Sequence, residues 1–597
     1  MRSAHRSSFL RQTPSTRSTS PKDETLLRLQ WLQWGIVACF LAIICRLGYW
    51  QIWKHNELAS AAVNQYESSY RVSSQRGIVQ DILGRILVSN REEYTLFAQP
   101  QIIQDDPAKI SQLLTPIILE GIEKTPLEAT DSAWLEQKGK EIQQQLQFSL
   151  EADDKQWVAL AHNLSRQQRG IIEDLNLFGL GFDTRYARNY PDASLSAQLL
   201  GFVGKTDLGE DQGYFGLEGF YDLELRGRGG VVHQQQTALG LPILFGKSDV
   251  FEQEEGSTLT LTINRDIQAV IEQKLQAGLE RYGAVSGEVV VMDPNTGAIV
   301  AMASFPNYDP GRFMRFPSQY YRNPAVSDLY EPGSTMKVVT VAAGVEKGAI
   351  TPEMECDSCA GPRVISGFTI RTWNEVYNPN INIKDALAKS DNTAMVFVQE
   401  KIGKEPFLEM LRKFGFNEKT GVDLQGEAEF PFRSSEDWRT IDVATASFGQ
   451  GLATTSVQLV RAVAAIANGG KLLRPYVVQT VKQGEKEIQT QPKVLRQVIS
   501  AQTAQTVTDM MVYSASQGDA KWALPEGVTV AGKTGTAQIA GEGGYLEDKT
   551  IASFIGFAPA DNPKFVMLVK LREPTSSPWG SETAAPLWFE ILPALFK

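Results

Sequence analysis

The chain has 597 residues, of which 42% are hydrophobic and 21% charged, an ordinary composition for a globular protein of two or more domains. Its formal net charge of −11 argues against nucleic acid as the main partner, because nucleic-acid-binding surfaces are basic. All four histidines lie at or before His233. A histidine-based triad or a histidine-ligated metal site in the C-terminal half is therefore excluded, which leaves lysine as the base there.

The N-terminal segment has the features of a membrane anchor. Residues 1–28 are rich in Ser, Thr and Arg and are predicted to form a disordered basic tail. Residues 29–53 are predicted to form a transmembrane helix, because the apolar run from Trp31 to Trp50 is long enough to span a bilayer and has aromatic residues at both ends. Since basic residues precede the span, the N-terminus is expected in the cytoplasm and the remaining chain outside it.

Other interpretations of this segment are a nucleic-acid-binding arm, a buried core helix or a cleaved signal peptide. A core helix would be unusual beside a disordered basic tail. The A-x-A sequence at Ala59–Ala61 lies too far beyond the apolar run for ordinary signal cleavage. We therefore predict an uncleaved anchor in the cell (inner) membrane, with the rest of the chain periplasmic or extracellular.

The cysteines allow a disulfide but no zinc ribbon. Cys356 and Cys359 form a C-x-x-C, and the chain has no second pair to complete a ribbon. A short disulfide or two free thiols is preferred to redox catalysis, because no thioredoxin-like β-α-β pattern surrounds the motif. Cys39 and Cys45 lie in the anchor, where they would pack as small apolar side chains.

The exported chain is predicted to contain two domains. The first, residues 54–250, begins with short β-rich pieces, continues through a polar helical stretch at 105–175, and has no nucleophile-base pair. The second, residues 251–597, has predicted strands at its beginning and near its end, with a long helical segment between them. This order predicts an α+β fold in which one sheet, flanked by helices, is built from both ends of the domain and a helical lobe lies between.

The predicted elements of the second domain follow the apolar periodicity. Strands are predicted at Thr258–Ile263, Glu288–Met292, Ala298–Ala303, Val528–Ala531, Ile551–Phe557 and Phe565–Lys570, and helices at Asp266–Leu279 and Pro586–Leu592. The sequence Asp293–Gly297 is predicted to join the second and third of these strands as a hairpin.

Ser334 and Lys337 form an S-x-x-K motif after the turn Pro332-Gly333. Residues three apart share one face of a helix, so the Lys337 amine can lie beside the Ser334 hydroxyl and activate it as a nucleophile. The motif is weak by itself, because Ser334 could simply cap a helix.

Two further motifs follow in the chain. Ser390-Asp391-Asn392 can present a hydroxyl and a carboxamide to one cavity, although such a sequence is also an ordinary turn. Lys533-Thr534-Gly535-Thr536 follows a predicted strand, where its lysine and hydroxyl can bind a carboxylate and its glycine lets a substrate backbone approach the sheet. A second K-T-G at Lys419–Gly421 follows a helix and indicates a turn, so the later copy is favoured.

S-x-x-K, S-D-N and K-T-G in this order resemble the signature of penicillin-binding proteins and serine β-lactamases. The second domain resembles the transpeptidase domain of class B penicillin-binding proteins, and residues 54–250 resemble their non-catalytic pedestal of the dimerisation type. The matching pieces beyond the three motifs are Asp293–Gly297, Glu331–Gly333, Ser447–Gly451, Thr455–Gln458, Ala467–Gly470 and Ser553–Pro559, and, in the pedestal, Arg76–Ile78, Gly84–Arg85, Tyr190–Pro191, Gly216–Gly219 and Leu225–Gly227.

Two departures from the family pattern concern the subfamily and remove no catalytic group. Asp391 stands where class B members often have a serine. The R-G-x-x-x-D-R-x-G pattern is loosened at Arg76–Gly84.

The resemblance implies a serine acyltransferase that cross-links peptidoglycan stem peptides ending in D-Ala-D-Ala, needs no cofactor or metal, and is acylated by β-lactams. Ser334 would attack the carbonyl between the two D-alanines, and Lys337 would accept the proton. Ser390 would relay a proton to the leaving D-alanine. The backbone N–H groups of Ser334 and Thr536 would form the oxyanion hole.

The same resemblance implies the substrate-binding groups. Asn392 would hold the peptide amide, and Lys533 and Thr534 would bind the terminal carboxylate. Gly535 would let the substrate backbone lie against the strand.

The resemblance leaves the physiological role open. A D,D-carboxypeptidase, a β-lactam sensor or hydrolase, an elongation-type transpeptidase and a mainly scaffolding division protein are the alternatives. The short tail and compact pedestal favour the division type. Since the sequence has no recognisable glycosyltransferase domain, a membrane glycan-polymerising glycosyltransferase and other cell-wall or division proteins are the expected partners.

Overall fold

The computed structural model describes residues 21–72, 74–122, 131–152, 154–235, 248–251, 253–541 and 544–596. Residues 1–20, which make up most of the predicted basic tail, lie outside the described residues. The helix that contains the predicted anchor begins at Pro21, so the prediction of disorder is wrong for residues 21–28, which are helical.

The α-helices of the described chain range in length from single turns to 28 residues. They are α1 (Pro21–Gly48), α2 (His55–Tyr66), α3 (Pro107–Gly121), α4 (Ser132–Leu150), α5 (Arg166–Asp174), α6 (Ala197–Leu200), α7 (Gly216–Phe220), α8 (Asp222–Arg226), α9 (Arg265–Tyr282), α10 (Pro324–Ser327), α11 (Lys337–Glu346), α12 (Ile383–Ala388), α13 (Asn392–Ile402), α14 (Lys404–Lys413), α15 (Thr440–Ala446), α16 (Ser456–Ala467), α17 (Ala501–Gln517) and α18 (Ala584–Ile591).

The strands lie mainly in residues 67–305 and 471–572, with one short pair between them. They are β1 (Glu67–Val72), β2 (Val79–Gln80), β3 (Ile86–Ala98), β4 (Val158–Leu164), β5 (Leu180–Asn189), β6 (Phe202–Lys205), β7 (Asp211–Tyr214), β8 (Gly230–Gln235), β9 (Ser248–Phe251), β10 (Thr258–Leu261), β11 (Ser286–Met292), β12 (Ile299–Phe305), β13 (Arg363–Ile365), β14 (Phe368–Ile370), β15 (Lys471–Leu473), β16 (Val478–Gln483), β17 (Lys486–Gln489), β18 (Val494–Gln497), β19 (Ala531–Gly541), β20 (Gly544–Ala558) and β21 (Phe565–Arg572).

The N-terminal unit contains α1, α2 and a three-stranded sheet of order β1-β8-β9. Within the described residues, Leu26–Trp53 is the one stretch of helix that is long and apolar enough to cross a membrane, and none of its most apolar window is buried. Its position agrees with the predicted anchor.

The second compact unit comprises the described residues between 74 and 229 and between 253 and 596. One of its sheets has the order β17-β16-β10-β2-β3-β4, with β5 also paired to β3. Strands β10 and β2 pair in parallel, so this sheet contains strands from both sides of the predicted domain boundary after residue 250. The division of the chain into domains at that residue stays a prediction.

The polar stretch at 105–175 was predicted to be helical, and this prediction is wrong for one segment. Helices α3, α4 and α5 lie there, but β4 pairs with β3 through contacts such as Leu96 with Ala161. This pairing joins residues far apart in sequence, so the local pattern contains no sign of it.

A second sheet, called the catalytic-region sheet because its edge strand β19 contains the predicted K-T-G motif, has the order β12-β11-β21-β20-β19. Strands from early and late parts of the domain meet in it as predicted, except that β10, the first predicted strand, lies in the other sheet. The two faces of β11 pack into two different cores. Val290 faces the core that includes the helical lobe, whereas Val289 faces the core of α9 and α18. Burial on both faces explains why residues 289–292 of β11 form a continuous apolar run rather than an alternating one.

The K-T-G strand begins later than the sequence predicted. Val528–Val530 is not in a strand, and β19 begins at Ala531, where pairing with Phe557 of β20 starts. Lys533 to Thr536 therefore lie within the paired part of β19 rather than after a strand. Strand limits follow the partner strand, which local propensity does not specify.

Candidate active site

Ser334 projects from a tight turn that leads into α11. Gly333 has a φ of +56°, donates its N–H to the carbonyl of Gly449 at 3.0 Å, and has no room for a side chain, since a Cβ would lie 2.9 Å from that of Ala537. The turn continues as a 3-10 helix, Gly333–Met336. The partly exposed Ser334 thereby lines a cavity of about 540 Å³.

Lys337 is fully buried, and its amine bonds to the S-D-N motif. Its Nζ atom donates to the carbonyl oxygen of Ser390 at 2.6 Å, to Oδ1 of Asn392 at 2.7 Å and to Oγ of Ser390 at 3.2 Å. Within the described chain, Ser334 Oγ makes no hydrogen bond to this amine. The Lys337 amine is thus hydrogen-bonded by the S-D-N motif, whose residues lie more than 50 positions later in the chain.

Ser390 connects the two lysines of the site. Its hydroxyl oxygen accepts hydrogen bonds from Nζ of Lys337 at 3.2 Å and from Nζ of Lys533 at 3.1 Å. Ser390 has a φ of +54°, an unfavourable region for a residue with a side chain, and it is buried. Such strain is retained where the surroundings determine the conformation, as at a functional site.

Asp391 holds the S-D-N turn by capping α13. Its Oδ1 accepts hydrogen bonds from the N–H of Thr393 at 2.8 Å and from that of Ala394 at 3.1 Å. This cap orients the residues on either side, Ser390 and Asn392, toward Lys337. Asn392 also donates its Nδ2 hydrogen to the carbonyl of Arg371 at 2.8 Å.

Strand β19 presents the K-T-G-T sequence to the same cavity. Thr534 and Thr536 lie on one face of the strand and line the cavity together with Ser334. Lys533 lies behind the cavity wall, buried, with its amine also 3.2 Å from Oγ1 of Thr534. Gly535 is buried as well.

The absence of a side chain at Gly535 is required by packing. A Cβ there would lie 2.4 Å from Oγ of Ser553 and 2.7 Å from Cγ2 of Thr335. Gly535 therefore allows β19 to approach the turn that contains the nucleophile. Its predicted contact with the substrate backbone stays a prediction.

Burial alters the proton affinity of both lysines. Desolvation, and secondly the charge of Lys533, lower the pKa of Lys337 well below its usual range, while the carboxylate of Asp391 acts in the opposite direction. Desolvation also lowers the pKa of Lys533 to about 8, opposed by Asp519. A neutral lysine amine, which general-base catalysis needs, is therefore accessible near neutral pH.

Three tryptophans line the cavity, and sequence reasoning missed them. They are Trp373, Trp522 and Trp579, and the rings of the first and last lie 4.9 Å apart between centroids. They come from three segments far apart in sequence, so no spacing connects them.

The C-x-x-C motif lies in the segment that supplies Trp373. Cys356 and Cys359 form a disulfide and are both fully buried. The same segment contains Arg371, whose carbonyl binds Asn392. The disulfide thus belongs to a structural segment beside the cavity. Cys39 and Cys45 are unpaired and exposed on α1.

The second K-T-G copy lies in an irregular segment just after the turn at 414–417, and not in a strand. The N–H and hydroxyl of Thr420 both donate to the carboxylate of Glu427, and Thr420 is buried away from the cavity. Its lysine, Lys419, is not among the residues that line the cavity.

Two family descriptions match the chain. The penicillin-binding protein transpeptidase domain matches residues 287–593, and the penicillin-binding protein dimerisation domain matches residues 71–261. The first range contains the three motifs that meet at the cavity.

Individual proteins of the same kind are similar over most of the chain. Stage V sporulation protein D of Bacillus subtilis is 32% identical over 94% of this chain and 84% of its own length. A probable peptidoglycan D,D-transpeptidase, PenA, of Neisseria meningitidis is 28% identical over 95% of this chain and 91% of its own length. The crystal structure of penicillin-binding protein 3 from Mycobacterium tuberculosis in complex with aztreonam is 26% identical, with a TM-score of 0.66 over 88% of this chain and 96% of that one.

Proposed function

The chain belongs to the class B penicillin-binding proteins, and from this membership we propose that it is a membrane-anchored peptidoglycan D,D-transpeptidase. It cross-links stem peptides through an acyl-enzyme on Ser334 and is acylated by β-lactams. The observation that supports this most directly is the convergence of the three motifs on Ser390, whose hydroxyl contacts both Lys337 and Lys533 beside the cavity that Ser334 lines.

Acylation begins when Oγ of Ser334 attacks the carbonyl carbon of the penultimate D-alanine. The proton leaves the Ser334 hydroxyl for the neutral amine of Lys337, whose lowered pKa makes that form available. Collapse of the tetrahedral intermediate breaks the amide bond to the terminal D-alanine. The leaving nitrogen receives a proton through Ser390, which lies within hydrogen-bond distance of both lysine amines.

Substrate orientation is assigned to the groups around the nucleophile. The hydroxyl of Thr534 binds the terminal carboxylate of the donor peptide, and the charge of Lys533, whose amine lies 3.2 Å from that hydroxyl, attracts it from behind the cavity wall. Asn392 holds the peptide amide. The N–H groups of Ser334 and Thr536 stabilise the oxyanion, a contribution of about 3–4 kcal/mol in enzymes with such donors.

The second half-reaction transfers the acyl group to an amine of a neighbouring stem peptide. The amine nitrogen attacks the ester carbonyl, loses a proton, and displaces Oγ of Ser334, which is protonated again. This step makes the cross-link and restores the enzyme without net consumption of protons.

The anchor sets the location of this chemistry. The helical stretch Leu26–Trp53 fits a single membrane span, and the basic residues before it favour a cytoplasmic N-terminus with the catalytic region outside. We further propose a role in septal wall synthesis beside a membrane glycosyltransferase that polymerises the glycan strands. Depletion of the protein should then give filamentous cells, whereas round cells would assign it to elongation.

The nucleophile is tested by labelling the detergent-solubilised full chain with a fluorescent penicillin. Ser334→Ala should abolish covalent labelling, whereas Ser318→Ala, a serine in a separate surface turn, should leave it unchanged. Labelling of the Ser334→Ala variant would overturn the assignment.

The reaction type is tested with a stem-peptide donor and an added acceptor amine. A transpeptidase forms cross-linked dimers in addition to releasing D-alanine. Release of D-alanine with no dimer at any acceptor concentration would instead assign the chain as a D,D-carboxypeptidase.

A further inference from the structure

A buried ion pair lies in the catalytic-region sheet behind the nucleophile turn. Glu288 of β11 and Lys570 of β21 are directly opposite each other in the antiparallel register. Their Oε1 and Nζ atoms are 2.7 Å apart, and each side chain is only 7% exposed. Removing two charges from water is costly, so such a pair is a weak source of stability compared with apolar side chains of the same volume.

Each charge of this pair also contacts a different neighbouring segment. The second carboxylate oxygen of Glu288 accepts a 2.7 Å hydrogen bond from Oγ of Ser456, the first residue of α16. The ammonium of Lys570 lies 4.1 Å from the ring centroid of Tyr330, a cation–π contact between buried groups. One ion pair therefore fixes the beginning of α16 and the residue four positions before Ser334.

The two segments that the pair contacts are bonded to each other along the approach to Ser334. Tyr330 and Thr454 exchange backbone hydrogen bonds of 3.0 and 2.9 Å. The Glu331 carboxylate accepts the N–H of Gly451 at 3.0 Å. Together with the bond from Gly333 to Gly449, these contacts attach the nucleophile turn to the irregular segment 449–454 at three places.

We propose that Glu288 and Lys570 are positioning residues for the acylation reaction, holding Tyr330 and Ser456 so that Ser334 is aimed into the cavity. The Tyr330 ring transmits the position of Lys570 to the turn, because the backbones of Tyr330 and Gly333 are hydrogen-bonded to Thr454 and Gly449. This inference rests on the proposed function of Ser334 as the nucleophile.

Tyr330 contacts Lys570 through its ring and not through its hydroxyl, so substitutions that remove one or the other test the proposed positioning role. The hydroxyl of Tyr330 is buried beside Ser456, with which it makes no hydrogen bond of good geometry. Tyr330→Phe keeps the ring beside Lys570 and removes only the hydroxyl, whereas Tyr330→Leu removes the cation–π contact. The two substitutions therefore form a matched pair.

The test measures acylation of the full chain by a fluorescent penicillin with rapid kinetics, which resolves the non-covalent Kd from the acylation rate constant. We expect Lys570→Met and Tyr330→Leu to lower the rate constant about tenfold or more with little change in Kd, as loss of an interaction made mainly in the transition state requires. Tyr330→Phe should acylate at the rate of the unchanged protein, and Lys570→Arg should recover most of the lost rate.

Two controls separate positioning from general destabilisation. Arg188→Met disrupts another buried ion pair, the 2.7 Å contact with Glu218, and should lower the melting temperature without changing the acylation rate constant. If Lys570→Met alone does not fold, Glu288→Met combined with Lys570→Met removes both charges, which buried pairs tolerate better than the loss of one. That double variant should fold and acylate slowly.

The outcomes separate this inference from the proposed function. Slow acylation that still reaches complete labelling of Ser334 supports positioning. A normal rate in Lys570→Met or in the double variant, or equal losses in Tyr330→Phe and Tyr330→Leu, overturns it and leaves Ser334 as the nucleophile. Failure of the unchanged protein to be labelled at all overturns both.

Discussion

The amine of Lys337 donates a 2.7 Å hydrogen bond to Oδ1 of Asn392. This bond joins the first residue of α11 to the first residue of α13, and so connects the S-x-x-K and S-D-N motifs directly. Because the Asn392 carboxamide also donates to the carbonyl of Arg371 at 2.8 Å, its oxygen is held facing the lysine. The general base of the proposed reaction is thus oriented by an amide that is itself fixed by the backbone.

Replacing Asn392 by alanine should remove that orientation. We expect Asn392→Ala to lower the acylation rate constant about 100-fold, a loss in the range for disturbed general-base catalysis, while the fold is kept because Asp391 still caps α13. Rapid-kinetic labelling with a fluorescent penicillin measures the rate, and circular dichroism the fold. Asn468→Ala, which removes hydrogen bonds at the C-terminal end of α16, is the control and should leave the rate within about twofold. If the Asn392→Ala variant acylates at the normal rate, Asn392 does not orient the Lys337 base.

The pH dependence of acylation should have two limbs. Lys337 must be neutral to accept a proton, and its pKa is lowered by burial and by Lys533, so activity is lost only as acidic pH protonates it. Lys533 must be charged to bind the substrate carboxylate, and its pKa is about 8, so activity also falls as pH rises through that value. The acylation rate measured from acidic to basic pH should therefore be bell-shaped.

Lys533→Arg tests the basic limb, because a guanidinium stays charged throughout this range. The limb near pH 8 should move to higher pH while the acidic limb stays in place. Lys419→Arg, in the second K-T-G copy, should leave the whole profile unchanged. A basic limb that does not move in Lys533→Arg would show that another group titrates there.

Asp391 should set the acidic limb. Its carboxylate raises the pKa of Lys337, and one of its oxygens is buried with no hydrogen-bond partner among the described residues. Asp391→Asn keeps a side chain that caps helices well but removes the charge, so the pKa of Lys337 should fall further and the acidic limb should shift to lower pH. The pH profile of acylation measures the shift.

Asp106→Asn is the matched control for this substitution, since Asp106 caps α3 by the same kind of bond, in the pedestal. It should leave the pH profile in place. An unchanged acidic limb in Asp391→Asn, with the protein folded, would mean that the Asp391 charge has no effect on the base.

Gly535→Ala should separate β19 from the nucleophile turn. The added Cβ would lie 2.4 Å from Oγ of Ser553 and 2.7 Å from Cγ2 of Thr335, so the strand must move. We expect a loss of about 1–3 kcal/mol in the free energy of unfolding, as for other overpacked sites, together with slower acylation. Thermal or urea denaturation and penicillin labelling measure the two effects. Gly361→Ala is the control and should change neither stability nor acylation, because a Cβ there would meet nothing within 4 Å. A Gly535→Ala variant with unchanged stability and acylation would refute the packing requirement.

The sequence by itself determined the features that local chemistry specifies. The apolar run between Trp31 and Trp50 is sufficient to predict an anchor, because length and hydropathy decide whether a helix can span a bilayer. The strands of the catalytic-region sheet follow from their apolar runs, and the order of S-x-x-K, S-D-N and K-T-G identifies the family. The strand segments that the sequence placed wrongly, at β4 and before β19, are those whose limits depend on a partner strand.

Only the tertiary structure decided how the motifs act on one another. The sequence suggested that the Lys337 amine lies beside Ser334. In the folded chain, this amine donates hydrogen bonds to Ser390 and Asn392. The pKa of each lysine depends on desolvation and on charges from other elements, which no local pattern encodes. The pairing of Glu288 with Lys570, which contacts Tyr330, is likewise set by strand register, since the two residues become neighbours only when β11 and β21 pair.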